Sequence, residues 1–156
     1  MSGTEIGSPA PDIELEATGG GRIKLSSFRG KKNVVLYFYP KDSTPGCTTE
    51  GQDFRDRHAD FRKRDTVIFG ISRDGMKSHE NFKAKHEFPF ELLSDPDEIA
   101  CTLYDVIKLK NMYGKQVRGI ERSTFLIDKK GIVRSEWRKV KVPGHVDAVL
   151  AALEEL

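Results

Sequence analysis

The chain has 156 residues, enough for one domain that buries roughly two thirds of its unfolded surface around a single core. Hydrophobic residues make up 37% and charged residues 32%, which excludes a disordered chain, and the longest apolar run, Val34 to Tyr39, is too short to cross a bilayer. With 26 basic and 24 acidic residues the net charge is +2, too little to steer the chain toward nucleic acid or anionic lipid.

The opening stretch, Met1 to Leu15, shows no basic segment followed by an apolar one, so no secretory leader and a cytoplasmic location are expected. Ile13 to Leu15 and Arg22 to Leu25 flank Gly19-Gly20-Gly21, which predicts an N-terminal β-hairpin. Val34 to Tyr39 is continuous and rich in β-branched and aromatic residues, the pattern of a central strand covered on both faces. From Pro45 to Arg64, Phe54 and Phe61 recur at helical spacing with His58 between them, predicting one long amphipathic helix. Thr66 to Ser72 follows as a second buried strand, Lys77 to Glu87 as a helix with Phe82 inward, and Asp97 to Tyr104 as a short helix. Gly119 to Ile127 and Ile132 to Trp137 are predicted strands joined by the loop Asp128-Lys129-Lys130-Gly131. Val146, Val149, Leu150 and Leu153 then share one face of a last helix. No repeat or linker divides the chain, so residues 1–156 form one domain. The order predicts an α/β thioredoxin-like fold, a central mixed sheet with helices on both faces.

Two cysteines in a reducing compartment make no disulfide framework, and one or both are expected to be reactive. Cys47 sits where the central strand hands over to the long helix, the edge at which open α/β sheets place their ligands. With Thr44 at the N-cap and Pro45 in the first helical position, Cys47 falls at the third, among backbone N–H groups that have no helical acceptor. A helix terminus contributes only about 0.3–1 kcal/mol toward a charge, so a cation must assist the thiolate. Arg122, ahead of Ser123 to Ile127, is a candidate, since its fork can contact a thiolate and a second polar group together. Ionisation alone does not make such a thiolate a fast nucleophile; donors for the charge that develops on a leaving group must contribute more. Thr44 and the N–H groups of Gly46 and Cys47 are candidates for that task, and Pro40 and Pro45 stiffen the loop.

The segment YPKDSTPGCTTE, residues 39–50, carries the Pro-x-x-x-Thr-x-x-Cys pattern and resembles the peroxiredoxins, in the form seen in the bacterioferritin comigratory protein or Q-type subfamily. FGISRD at 69–74, LLSDPD at 92–97, MYGK at 112–115 and GIERSTFLID at 119–128 extend the likeness from about Gly7 to Leu153. The resemblance implies that Cys47 is the peroxidatic cysteine, Thr44 and Arg122 its activating partners, Pro40 the shielding proline and Glu50 an orienting residue. It implies attack of the thiolate on hydrogen peroxide or an organic hydroperoxide, giving a cysteine sulfenic acid that a reductant restores. No cofactor or metal is implied, and the subfamily often works as a monomer.

The chain departs from its relatives where they carry a resolving cysteine: Gln52 stands five residues after Cys47, and Lys83 stands on the next helix. Only Cys101 remains, a possible resolving residue whose neighbours Ala100, Leu103 and Tyr104 suit a small buried hydrophobe equally well. A one-cysteine cycle is therefore expected, with an external thiol such as thioredoxin, a glutaredoxin or glutathione as reductant. Arg122 could be a plain surface residue, and Glu50 a favourable first-turn acid. The histidines at 58, 79, 86 and 145 show no metal-ligand spacing with the cysteines. Two other functions fit the same fold: a disulfide reductase, which usually carries Cys-x-x-Cys where this chain has Thr49 and Glu50, and a binding or chaperone module without chemistry.

Overall fold

The run from Val34 to Tyr39 alternates between two separate packed clusters, and that alternation decides the layering. Val34, Leu36 and Phe38 are buried against Leu15, Ile71, Ala100, Cys101 and Phe125, whereas Val35, Tyr37 and Tyr39 are buried against Cys47, Phe54, Phe61, Phe82 and Val149. A strand's side chains point alternately to opposite sheet faces, so the two clusters lie on opposite sides of one sheet.

The computed structural model describes residues 4–156; Met1 to Gly3, at the start of the stretch expected to lack a leader, lie outside the described residues. In chain order the elements are β1 (Glu14–Ala17), β2 (Arg22–Lys24), β3 (Asn33–Phe38), α1 (Pro45–Asp56), α2 (His58–Arg62), β4 (Thr66–Ser72), α3 (Met76–His86) and β5 (Glu91–Ser94). They continue with α4 (Ile99–Leu103), β6 (Ile107–Met112), β7 (Lys115–Ile120), β8 (Ser123–Ile127), β9 (Val133–Trp137) and α5 (His145–Glu154). The main sheet has seven strands in the order β2-β1-β5-β4-β3-β8-β9. Its centre, β5-β4-β3, is parallel, and its flanks are antiparallel. This is the expected thioredoxin-like arrangement, though the helices divide unequally. α1, α2, α3 and α5 contribute Phe54, Phe61, Phe82 and Val149 to one face, while α4 and the N-terminal segment cover the other. Each fully buried phenylalanine on the helical side contributes about 1.5–3 kcal/mol of burial. Gly51 lets α1 approach the end of α3, because a Cβ there would lie 2.4 Å from the Phe88 ring.

The N-terminal hairpin forms as expected, with Gly19 and Gly20 at φ 87° and 89°. Three expectations need correction. The helix over 45–64 divides at Arg57, whose φ of −105° and ψ of 4° interrupt it between α1 and α2 without a Pro or Gly to mark the place. The strand expected from Gly119 to Ile127 is two strands in different sheets: β7 pairs with β6, and β8 joins the main sheet. Glu121 and Arg122 form the junction. β5, β6 and β7 add strands that the patterning did not mark.

Candidate active site

β3 delivers the chain to Pro40, half-buried at the C-terminal edge of the parallel strands. Ser43 turns the following loop at φ 65°. Thr44 then takes the N-cap position in extended backbone, Pro45 opens α1 and Cys47 occupies its third position. The Thr48 N–H donates to the Thr44 carbonyl at 2.9 Å, so the N–H groups of Gly46 and Cys47, one turn upstream, lie outside the helical ladder. Thr44 caps by position only. Its hydroxyl donates to the Lys41 carbonyl at 2.8 Å and makes no bond to the helix, leaving its lone pairs to accept from a ligand.

Cys47 belongs to the buried cluster that also holds Tyr37, Tyr39 and Phe54, and the residue is 2% exposed. Its sulfur accepts a hydrogen bond from Arg122 Nη2 at 3.4 Å, and Nη1 of the same guanidinium donates to Glu50 Oε1 at 2.6 Å. One fork thus spans the thiol and a fully buried carboxylate. Two features hold the fork in place. The Arg122 carbonyl accepts from the Val140 N–H at 3.0 Å, and the adjacent Glu121 N–H donates to the Val106 carbonyl at 2.7 Å. Gly46 leaves room for it, since a Cβ at that position would sit 3.1 Å from Nη2.

Burial raises the Glu50 carboxyl to a pKa of about 7, with the Arg122 charge working in the opposite direction. Among the described residues Glu50 Oε2 has no hydrogen-bond partner, which adds to the disfavour of the anion. Lys110 belongs to the same field. Its ammonium donates to the Ile120 carbonyl at 2.5 Å, and burial first, then the Arg122 charge, lower its pKa. His145 is pushed down to about 4 by burial and by Arg122, and its Nε2 lies 2.8 Å from the Thr124 hydroxyl, so the ring near the site is neutral at pH 7.

The acidity of Glu50 gives a pH test. An ordinary glutamate sits at 4.5 and this one at about 7; the folded chain therefore holds this proton more tightly than the unfolded chain. The stability it contributes is complete below the lower value and is lost as pH rises through the upper one. Glu50→Gln keeps an acceptor for Arg122 and cannot ionise. In urea unfolding its stability relative to wild type is expected to rise between pH 5 and pH 8, by up to about 3 kcal/mol. A difference that stays flat with pH would refute the assignment.

Cys101 is not brought to this site. It is fully buried in the cluster on the far face of the sheet, and burial, then the hydrogen bond to the Asp95 carboxylate and its charge, raise its pKa far above the usual thiol range. Lys83 forms an ion pair with Glu91 at 2.7 Å, and Gln52 Nε2 lies 3.4 Å from His86 Nδ1. Asp42 and His79 meet beneath the loop at 2.7 Å; in the sequence His79 stood out only as a histidine without metal-ligand spacing, and the available signal was the place of Asp42 inside the Pro-to-Cys segment.

The AhpC/TSA family model matches residues 6–136. Peroxiredoxin Bcp of Bacillus subtilis is 53% identical over 152 residues, covering 97% of this chain and 96% of that protein. The chain belongs to the peroxiredoxin family. Within it, the solved structure of Xanthomonas campestris peroxiredoxin Q superposes with a TM-score of 0.89 at 54% identity, covering 99% of this chain and 97% of that one. A structure concerned with alkyl peroxide reduction by the bacterioferritin comigratory protein of the same organism gives 0.89 at 55% identity, over 94% of this chain and 91% of that one. This peroxiredoxin is accordingly of the Bcp or Q type, and it is a thiol-dependent peroxidase that acts on a peroxide at the expense of a thiol reductant. Two further structures of the Xanthomonas protein are serine mutants of different cysteines, spaced as Cys47 and Lys83 are spaced here.

Proposed function

We propose that Cys47 is the peroxidatic nucleophile and that it works in a one-cysteine cycle completed by an external thiol. The observation that carries this reading is the single guanidinium of Arg122, bonded at once to the Cys47 sulfur and to the buried Glu50. Arg122 donates to the sulfur that attacks, and Glu50 fixes the direction of the fork. The thiolate sulfur attacks the terminal oxygen of the hydroperoxide; an S–O bond forms as the O–O bond breaks. The other oxygen leaves as hydroxide or alkoxide and takes a proton from solvent. The N–H groups of Gly46 and Cys47 and the Arg122 fork supply donors for that developing charge, while the Thr44 hydroxyl accepts from the peroxide O–H. Pro40 limits water access from the β3 side.

Cys47 is then a sulfenic acid, and the peroxide has been reduced to water or an alcohol. A thiol attacks the sulfenic sulfur, water departs, and a mixed disulfide remains; a second thiol releases Cys47 and carries away the disulfide. Both hydrogen peroxide and organic hydroperoxides fall within the proposed range, the latter supported by the alkyl peroxide reduction of the Xanthomonas relative. The external thiol is a thioredoxin, a glutaredoxin or glutathione. A cytoplasmic monomer belongs to the same reading, and the free state of both cysteines is compatible with a reducing compartment. The separation of Cys101 from Cys47 by the sheet supports an external resolving thiol.

Non-reducing mass spectrometry after one equivalent of peroxide tests the cycle. The expected product is one added oxygen on the Cys47 peptide, trapped by a dione probe or converted by glutathione to a mixed disulfide. An intramolecular Cys47–Cys101 disulfide as the main product would defeat the one-cysteine version.

A further inference from the structure

Two buried ionisable side chains take no part in the chemistry described so far. The Asp42 and His79 side chains are 3% and 0% exposed, and they join the catalytic loop to the first turns of α3. Asp42 Oδ1 accepts from the Tyr39 hydroxyl at 2.6 Å, and Oδ2 accepts from the Ser78 hydroxyl at 2.8 Å and lies 2.7 Å from His79 Nδ1. The far side of the ring is also occupied, with Nε2 2.9 Å from the Leu93 carbonyl. A carbonyl only accepts, so Nε2 carries hydrogen, and the contact to Asp42 then holds a second proton between ring and carboxylate. The Asp42 N–H donates to Asp74 Oδ2 at 2.9 Å, and Asp74 Oδ2 also accepts from the Ser72 hydroxyl at 2.6 Å. The ligating atoms of Asp42, Asp74 and His79 lie within 4.8 Å of one another, but these direct hydrogen bonds already engage them, and the cluster is best described as a knot that ties β4, α3 and β5 to one loop.

We propose that Asp42, clamped by His79, is a positioning residue for peroxide cleavage: it sets the height and direction of the loop that carries Thr44 and leads into the N–H groups of Gly46 and Cys47. This inference rests on the peroxidase reading above. The chain from Asp42 to the site is short. Ser43 follows it in a left-handed turn, and the preceding Lys41 carbonyl holds the Thr44 hydroxyl. The charge contacts of the thiol follow another route, through Arg122 and Glu50. Loop placement and thiolate charge are thus anchored independently, and a loosened knot misplaces the oxygen-binding donors while leaving the sulfur's cation in place. A shift of about 1 Å in such a site lowers the rate by about 100-fold.

The test compares two electrophiles on the same sulfur. Peroxide needs a thiolate and placed donors for the leaving oxygen; iodoacetamide needs little more than the thiolate. In Asp42→Asn and His79→Gln the rate constant for oxidation of Cys47 by hydrogen peroxide is expected to fall by about 10- to 100-fold. Alkylation read on the Cys47 peptide is expected to stay within about threefold of wild type, well short of the hundredfold that misplacement brings. Tyr39→Phe removes one hydroxyl and no charge from the knot; it covers the case in which the other two variants do not fold, and its ratio of oxidation to alkylation is expected to fall several-fold. Equal losses in both reactions would mark the knot as purely structural, and unchanged oxidation in folded variants would overturn the inference outright. A wild-type chain inert to peroxide would instead sink the peroxidase reading, and this inference with it.

Discussion

Replacing Cys47 with serine is expected to bring dithiothreitol-supported peroxide consumption down to the uncatalysed background, a loss of more than about a thousandfold. Serine fits the space. What disappears is the chemistry: its hydroxyl is scarcely ionised near neutral pH, and its oxygen cannot accept the peroxide oxygen as sulfur does. Cys101→Ser is the control, and it is expected to retain activity within about twofold, because that thiol is fully buried and held protonated on the other side of the sheet. Continuous peroxide assays on both variants decide the matter. Wild-type turnover by Cys47→Ser would remove the proposed nucleophile, and loss of turnover confined to Cys101→Ser would transfer the role.

Arg122→Ala should have the next largest effect, slowing Cys47 oxidation by about 10²- to 10³-fold, the range found when one preorganised donor to a developing oxyanion is deleted. The substitution removes the donor to Cys47 and the partner of Glu50 together. A carboxylate stranded in a dry interior commonly destabilises a protein by about 3–5 kcal/mol. Here the loss is smaller near neutral pH, because Glu50 already titrates at about 7 and can take a proton. The double variant Arg122→Ala/Glu50→Gln should therefore regain stability without regaining rate. Arg122→Lys should fall between wild type and alanine, since a point charge on a flexible stem does not reproduce a fork engaged at both ends. Stopped-flow oxidation beside denaturant unfolding separates the two quantities, and an Arg122→Ala rate within threefold of wild type would remove Arg122 from the mechanism.

Much of this site was legible in the sequence because its signals are local. Thr44, Pro45 and Cys47 lie within one helical turn, and the N-cap rule places them without reference to the remainder of the fold. Arg122 stood as a candidate from its place before β8, but its role was firm only through the surrounding GIERSTFLID, because its 3.4 Å contact to Cys47 spans 75 positions of chain. The knot beneath the loop stayed hidden for the same reason: Asp42 and His79 are 37 residues apart, and neither residue type signals its partner. Strands β6 and β7 escaped notice because most of their residues are exposed or half-buried, which erases the alternation that marks a half-buried strand. Their turn is made by Tyr113 and Gly114, both at positive φ, and tyrosine is not a residue that announces such a turn. The division at Arg57 has no Pro or Gly to betray it.

The sheet that stands between the two sulfurs has a consequence for survival under oxidant stress. A disulfide would shelter oxidised sulfur from further attack, but in the one-cysteine cycle proposed above every turnover leaves that sulfur as a sulfenic acid until a reductant arrives. When peroxide outruns the thiol supply, a second peroxide carries the same atom to the sulfinic state, from which ordinary thiols do not rescue it. The protein's working life is then set by the ratio of two collision frequencies at one atom, so the abundance of its reductant governs durability as well as speed.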